Sequence, residues 1–209
     1  MIITAEIKGI PLEFETNDSV FSPSSIDLGT LAMLSQIDFK STDKVLDLGC
    51  GYGVVGILAS KFIGAENVTM CDISDDAILL SKINAEKNNI NNLEIIQSNG
   101  LENIPDNDFT LILSNPPYHV DFTVPKQFIE ASFKKLVTGG RMIMVTKRKD
   151  WYKNKFTSIF GGVKVIEING YYVFIAEKRS SYLPKKQKAT NHLSKKLQRK
   201  QHKSTFFRG

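Results

Sequence analysis

Cysteine is scarce in this chain of 209 residues, where only Cys50 and Cys71 occur. Two such residues form no disulfide framework and match no metal-binding spacing, so we expect two reduced thiols buried in the core. Long apolar runs are also missing, and the first fifteen residues carry no cationic stretch followed by an apolar one. We therefore expect a cytoplasmic protein that uses neither a membrane nor a metal.

Acidic residues are absent from the end of the chain. Residues 1–177 hold 16 basic and all 22 acidic residues, a net charge of −6, whereas residues 178–209 hold the other 11 basic residues, a net charge of +11. A segment of one charge repels itself and buries no core, so we predict a flexible tail over residues 179–209. Its polar composition and its aromatic residues favour an arm that contacts nucleic-acid phosphates over a merely solubilising tail.

Strands and helices alternate along most of the remaining sequence. Residues 1–40 predict a small hairpin and one helix packed on the core, and residues 41–178 predict a single α/β domain. Five strands alternate with helices, and two more are joined by a tight turn at Asn169 and Gly170. This order predicts a mostly parallel, seven-stranded sheet with helices on both faces and an antiparallel last strand.

A glycine-rich loop follows the first predicted strand of this sheet. The stretch "VLDLGCGYGVVG" fits the dinucleotide spacing G-x-G-x-x-G, and it also fits D-x-G-x-G-x-G through Asp47, Gly49, Gly51 and Gly53. Asp47 would repel a pyrophosphate, but it can accept the ammonium group of S-adenosylmethionine directly or through water. The loop therefore favours S-adenosylmethionine as the cofactor.

Polar residues also end the next two strands. Asp72 can accept both hydroxyl groups of a ribose, and Ile73 offers an apolar surface for adenine. Asn99 ends the third strand, where it would reach the adenine amino group; an ordinary Asn-Gly turn is the alternative interpretation.

The fourth strand runs into "SNPPYH", where two prolines remove backbone donors and end the strand at about Asn115. A planar amine is a poor nucleophile because its lone pair is delocalised, so both its N–H groups need acceptors. The side chain of Asn115 and the carbonyl of Pro116 can supply them, Pro117 stiffens the turn, and Tyr118 can stack on a flat ring. Such a site transfers a methyl group to nitrogen without a metal or a covalent intermediate.

These motifs resemble the class I S-adenosylmethionine-dependent N-methyltransferases, which have a Rossmann-like fold. More narrowly, "VFSPSSIDLGTLAML", "NPPYH" and the segment from "GGRMIMVT" to "GYYVFIA" are similar to the small-domain branch that contains the ribosomal RNA guanine-N2 methyltransferases. The resemblance covers about residues 15–178. It implies methylation of guanine N2 in ribosomal RNA, with Thr30 near the cofactor and with Phe21, Ser22 and His119 near the substrate.

The sequence departs from this family in two respects. The family usually has Asp where this chain has Asn99. Its bacterial ribosomal members also often carry a second, degenerate copy of the domain, and this sequence shows no such copy. The basic tail is not part of the family pattern. We expect it to dock RNA in place of the second copy.

Several alternatives stay open from the sequence. A protein-glutamine methyltransferase of the release-factor type shares the Asn-Pro-Pro-Tyr motif, and an adenine-N6 acceptor poses the same chemical problem. A nicotinamide-dependent oxidoreductase would explain the glycines and Asp72 but gives Asn115 no task. A non-catalytic RNA-binding protein on the same fold would need lost cofactor residues, of which only Asn99 is a candidate.

Overall fold

The computed structural model describes residues 1–117 and 121–180. Within these ranges it contains nine strands and five α-helices, and a short 3-10 helix spans Ala65–Asn67. In chain order the elements are β1 (Ile2–Ile7), β2 (Ile10–Glu15), α1 (Leu28–Leu34), β3 (Val45–Leu48), α2 (Val54–Ile63), β4 (Val68–Asp72), α3 (Asp75–Lys87), β5 (Glu94–Gln97), β6 (Phe109–Ser114), α4 (Thr123–Lys135), β7 (Leu136–Thr146), α5 (Asp150–Phe160), β8 (Lys164–Ile168) and β9 (Tyr171–Glu177).

Seven of the strands form one sheet in the order β5-β4-β3-β6-β7-β9-β8. The first five are parallel to one another, and β9 lies between β7 and β8, antiparallel to both. The turn before β9 uses Asn169 and Gly170 with φ angles of 50° and 79°, as a tight hairpin requires. The predicted α/β class, the seven strands and the antiparallel last strand are confirmed.

Two hydrophobic clusters cover the two faces of this sheet. One joins α1, α2, α3 and the hairpin to the sheet, and the other joins α4 and α5 to it. The second cluster is rich in aromatic side chains; Phe156 of α5 is fully buried and stacks on Phe174 of β9 with 5.6 Å between the ring centroids. The helices therefore lie on both faces, as predicted.

The β1–β2 hairpin is attached to α3 by two buried asparagines one helical turn apart. Asn84 accepts a hydrogen bond from the Glu15 amide and donates to its carbonyl, at 2.6 and 2.9 Å. Asn88 makes the same pair of bonds with Glu13, at 3.1 and 2.7 Å. Asn84 also donates to the carbonyl of Tyr52 at 2.9 Å, which ties the hairpin to the glycine-rich loop.

Helix α1 packs against β7 and β9. Asp27 caps it by accepting a hydrogen bond from the amide of Thr30 at 3.0 Å. A Cβ atom at Gly29 would come within 2.7 Å of the Tyr171 ring, so the helix backbone packs directly on the first residue of β9. Across the described part of the chain, no helix is both long and apolar enough to cross a membrane.

Candidate active site

A cavity of about 360 Å³ lies at the carboxyl ends of the parallel strands, where α/β proteins of this type bind ligands. Residues that the sequence indicated as site residues converge on it from β3, β4, β5, β6 and the segment before α1. Those that line it are Phe21, Ser22, Thr30, Asp47, Gly49, Gly51, Asp72, Ile73, Asn99, Asn115, Pro116 and Pro117.

Three predicted site residues do not appear in this lining. Gly53 lies behind it as the N-cap of α2, with a φ of 101° that glycine adopts without strain. Tyr118 and His119 lie outside the described residues, so their predicted stacking and lining roles stay predictions. Gly53 therefore shapes the loop and does not line the cavity.

Three consecutive backbone amides of the glycine-rich loop already have acceptors within the protein. Those of Gly49 and Cys50 both donate to the Cys71 carbonyl at 2.9 Å, and that of Gly51 donates to Asp72 at 3.0 Å. A phosphate-binding loop needs such amides free to point at the anion. These three amides are therefore not free to bind the pyrophosphate of a dinucleotide.

The charged side chains that line the cavity point to the same conclusion. Among the described residues these are Asp27, Asp47 and Asp72, and the lining includes no Lys or Arg. A lining with three acidic side chains and no Lys or Arg favours a cationic group over an anionic one. The cavity is suited to a ligand that carries positive charge.

Asp47 is buried beneath the loop, with only 2% of its surface exposed. Its Oδ2 accepts a hydrogen bond from the Gly56 amide at 2.8 Å. The pKa of Asp47 is raised to about 7, mainly by burial and to a smaller extent by the nearby Asp72, while the hydrogen bond from Gly56 acts in the opposite direction. The carboxyl group is thus about half protonated at neutral pH and becomes a stronger acceptor when a cation is placed beside it.

Asp72 is held rigidly at the end of β4. Its Oδ2 accepts from the Gly51 amide and its Oδ1 accepts from the Ser74 amide, both at 3.0 Å. Each oxygen retains a second lone pair for a hydroxyl donor. The neighbouring Ile73 is 65% exposed, so it presents an apolar surface beside this carboxylate.

Asn99 is exposed at the end of β5. It precedes Gly100, whose φ is 59°, and its Nδ2 donates to Glu102 at 3.1 Å. The residue therefore takes part in a tight turn and also lines the cavity. The turn predicted at Asn99 is present, and the predicted contact with the adenine amino group stays a prediction.

The segment before α1 covers one side of the cavity. Phe21 is 44% exposed there. Ser22 has a φ of 53° and donates its hydroxyl to the Ser25 carbonyl at 2.6 Å. Both side chains line the cavity, and their predicted position near the substrate stays a prediction.

Both cysteines are free and buried, as predicted. They also line the cavity floor. Burial raises the pKa of Cys71 to about 12 and raises that of Cys50 as well, so both remain protonated thiols at neutral pH. Neither is suited to act as a nucleophile.

Asn115 ends β6 with its amide group in a fixed orientation. Its Nδ2 donates to Oδ2 of Asp27 and to Oγ1 of Thr30, each at 2.9 Å. A carboxylate only accepts hydrogen bonds, so the nitrogen must face Asp27 and the amide oxygen must face the other way. Thr30, which the resemblance placed near the cofactor, directly contacts Asn115.

The amide oxygen of Asn115 is buried and has no hydrogen-bond partner among residues 1–117 and 121–180. A buried acceptor without a partner costs about 1–3 kcal/mol. Such atoms in folded proteins are uncommon and often mark sites where a bound molecule supplies the donor. The oxygen is therefore a prepared acceptor beside the cavity.

Asp27 is a candidate site residue that was not singled out from the sequence. It accepts from Asn115, from the Thr30 amide and, at 3.4 Å, from the Tyr171 hydroxyl. The sequence signal for it is an acidic residue near the start of the predicted first helix, a position typical of a helix cap. Its contact with Asn115 spans 88 positions and leaves no local pattern.

Comparisons with known proteins agree with this architecture. The family model "methyltransferase small domain" matches residues 11–176. The ribosomal RNA large subunit methyltransferase G of Psychromonas ingrahamii is 29% identical over 181 residues, which cover 83% of this chain and 47% of that one. The uncharacterized protein YbxB of Bacillus subtilis is 30% identical, and the match covers 79% of this chain and 85% of YbxB.

Among solved structures, a 16S rRNA N2 methyltransferase from Thermus thermophilus, in complex with AdoMet and guanosine, superposes with a TM-score of 0.77. It is 25% identical, and the match covers 86% of this chain and 50% of that one. This chain thus spans about half the length of that protein and of the large subunit relative.

Proposed function

Because the chain belongs to the methyltransferase small domain family, we propose that it is an S-adenosylmethionine-dependent N-methyltransferase. Its proposed acceptor is an exocyclic amine of RNA, and specifically guanine N2 of ribosomal RNA. Two of the similar proteins are named as methyltransferases of ribosomal RNA, which supports this choice of acceptor. The cofactor is proposed to bind within residues 41–178, on which residues 1–40 pack.

The observation that carries this proposal is the unpartnered, oriented amide oxygen of Asn115. An exocyclic amine offers the N–H donor that this oxygen requires, and the Pro116 carbonyl is proposed to accept the second N–H. The negative charge of Asp27 behind the amide nitrogen polarises the group, which strengthens its oxygen as an acceptor. Both acceptors stabilise the positive charge that develops on the amine nitrogen during transfer.

The residues of the cavity fit the proposed cofactor. S-adenosylmethionine supplies an electrophilic methyl group and carries positive charge, which suits a lining of three carboxylates. Asp72 is proposed to accept the ribose hydroxyls, Ile73 to pack on adenine, and Asp47 to accept the ammonium group. Gly49, Gly51 and Asn99 are proposed to line the cofactor, with Gly53 setting the shape of the loop.

The acceptor side is proposed to include residues beyond Asn115. Pro116 and Pro117 hold the turn rigid, Phe21 and Ser22 border the entering base, and Tyr118 and His119 are proposed to stack on it and enclose it. The basic tail, residues 179–209, is proposed to contact RNA phosphates. Most of the tail lies outside the described residues.

The nature of the acceptor is tested with methyl-labelled S-adenosylmethionine. We expect label to enter ribosomal RNA or ribosomal subunits as N2-methylguanine, and not DNA, transfer RNA or a release factor supplied in parallel. A glutamine amide poses the same lone-pair problem as a base amine, so label in the release factor instead would overturn the RNA acceptor while retaining the chemistry of Asn115. Thermal stabilisation by NAD but not by S-adenosylmethionine would overturn the class of enzyme.

Binding of the cofactor is expected to tighten about fivefold between pH 6 and pH 7. The pKa of Asp47 in the free protein is raised to about 7 by burial, so the carboxyl group is mostly protonated at pH 6 and half ionised at pH 7. A ligand ammonium favours the ionised form, so binding releases a proton and the affinity rises as the pH rises. Calorimetry in buffers of different ionisation enthalpy measures both the affinity and the proton release.

The matched control for this prediction is Asp47→Asn. It keeps an acceptor for the Gly56 amide but removes the titrating group, so its weaker binding should not change over the same pH range. A wild-type affinity that is also independent of pH would show that Asp47 does not accept the ammonium group.

A further inference from the structure

A basic and aromatic surface borders the cavity on the side of β7. Three consecutive basic residues, 147–149, follow this strand, and all three are exposed. Because β7 pairs in parallel with β6, they leave the sheet at the same edge as Asn115. We call this surface the acceptor rim; it consists of Phe122, Lys147, Arg148, Lys149 and Trp151.

Aromatic side chains in the acceptor rim and beside it contact its cations. Phe122 stacks on Trp151 with 4.3 Å between the ring centroids and 19° between the planes. The Arg148 guanidinium lies 5.1 Å from the centroid of Phe122, and the Lys149 ammonium lies 5.2 Å from that of Tyr172. Cations that are ordered in advance lose less conformational entropy when they bind an anion.

The charge of the acceptor rim contrasts with its surroundings. Residues 1–177 have a net charge of −6, and the cavity beside the rim is lined by carboxylates. In the described part of the chain, neither Arg148 nor Lys149 forms an ion pair with a carboxylate. The rim is therefore a local attractor for a polyanion on a body that otherwise repels one.

The position of the rim matches the direction from which the acceptor arrives. The sheet edge runs from β4, which carries Asp72, through β3 and β6 to β7. Asp72 and the acceptor rim thus lie on opposite sides of Asn115. With the cofactor on the β4 side of Asn115, the β7 side is left for the RNA strand that presents the amine.

We propose that the acceptor rim binds the sugar-phosphate backbone of an unpaired RNA segment next to the base presented to Asn115. This inference rests on the proposed function. Arg148 and Lys149 contact phosphates flanking the target nucleotide, which hold the strand while its base is unstacked and enters the cavity. The acceptor rim differs in role from the basic tail, because the rim sets the position of the RNA strand beside Asn115.

Trp151 provides a signal specific to this surface, because it is the only tryptophan in the chain. Adding an unpaired RNA oligonucleotide to the full-length protein is expected to change the tryptophan fluorescence, whereas RNA held only by the tail would leave it unchanged. The test variant is Arg148→Ala with Lys149→Ala. Lys147 is left intact because its ammonium lies 4.9 Å from the ring centroid of Tyr171, which donates to Asp27.

The matched control is Lys82→Ala with Lys164→Ala, which removes two exposed charges elsewhere. The rim variant is expected to need more RNA for the same fluorescence change, and its salt dependence, the slope of log K against log salt, should fall by about 1.4 for two lost phosphate contacts. The control should keep the wild-type midpoint. Equal behaviour of both variants, or a response to a release factor in place of RNA, overturns the proposal.

Methyl transfer is measured on the same proteins to separate this proposal from the preceding one. The rim variant should show a raised KM for RNA with an unchanged kcat, and unchanged thermal stabilisation by S-adenosylmethionine. If the wild-type protein transfers no methyl group to RNA but the fluorescence response is lost in the rim variant, the proposed acceptor is wrong while the RNA-binding surface stands. An unchanged fluorescence response in the rim variant overturns the surface, whatever RNA is methylated.

Discussion

Replacing Asn115 with alanine is expected to lower kcat for methyl transfer by about 10²- to 10³-fold, the usual effect of removing one preorganised polar group from a reacting centre. The amide oxygen of Asn115 is the buried acceptor prepared for the amine, and alanine offers nothing in its place. Cofactor binding should be unchanged because Asp47 and Asp72 are untouched. Single-turnover transfer and calorimetry measure the two quantities separately.

Asp27 supplies the matched test of how Asn115 works. Asp27→Ala should lower kcat less than Asn115→Ala does, because the Asn115 amide keeps its bond to Thr30 but loses the one to the carboxylate. The double variant should be no slower than Asn115→Ala alone, since Asp27 acts through Asn115. Additive losses in the double variant, or an Asn115→Ala variant that retains more than about a tenth of the wild-type kcat, would contradict this mechanism.

Gly56→Ala is expected to destabilise the fold by about 1–3 kcal/mol, although alanine is the better helix former. A Cβ atom at Gly56 would lie 2.4 Å from Cγ and 2.5 Å from Sδ of the fully buried Met70, and 3.2 Å from Asp47. Met70→Ala creates a cavity at the same place and should cost about 2–5 kcal/mol by itself. Urea denaturation of the single variants gives both free energies of unfolding.

The double variant decides whether this contact is the cause. With Met70 shortened to alanine, Gly56→Ala should cost nothing further or should stabilise the helix, so the two changes should couple strongly. Gly162→Ala is the matched control, because a Cβ atom there meets nothing within 4 Å, and its effect should stay within about 0.5 kcal/mol. Full additivity of the Gly56 and Met70 effects would refute this account of the tight packing.

Most of the fold was predictable because its signals are local. Alternating strands and helices, the glycine-rich loop and the Asn169–Gly170 turn are each read within a few residues, and the structure confirms the sheet that they predict. The position of β9 between β7 and β8 could not be predicted from local signals. It depends on pairings such as Val145 with Val173, which are set by tertiary contacts and leave no sign in either strand alone.

The candidate site divides in the same way. Asp72 and Asn115 could be identified because each lies at the end of a predicted strand, beside residues that terminate that strand. Asp27 was missed because its partner lies 88 positions away, and the burial of Asp47 was missed because distant elements enclose it. The sequence thus indicated which groups meet at the sheet edge, but not the hydrogen bonds that orient them.

The packing of α1 on Tyr171 also sets the order in which the site is assembled as the chain is made. Asn115 is oriented by Asp27, and the helix that Asp27 caps packs on the first residue of β9, 144 positions later. Synthesis proceeds from the amino terminus, so the glycine-rich loop and β6 emerge well before β9. The contacts that support Asp27 are thus complete only after residue 171 has left the ribosome, and we expect a chain truncated before β9 to hold Asn115 less firmly even where its cofactor loop is already present.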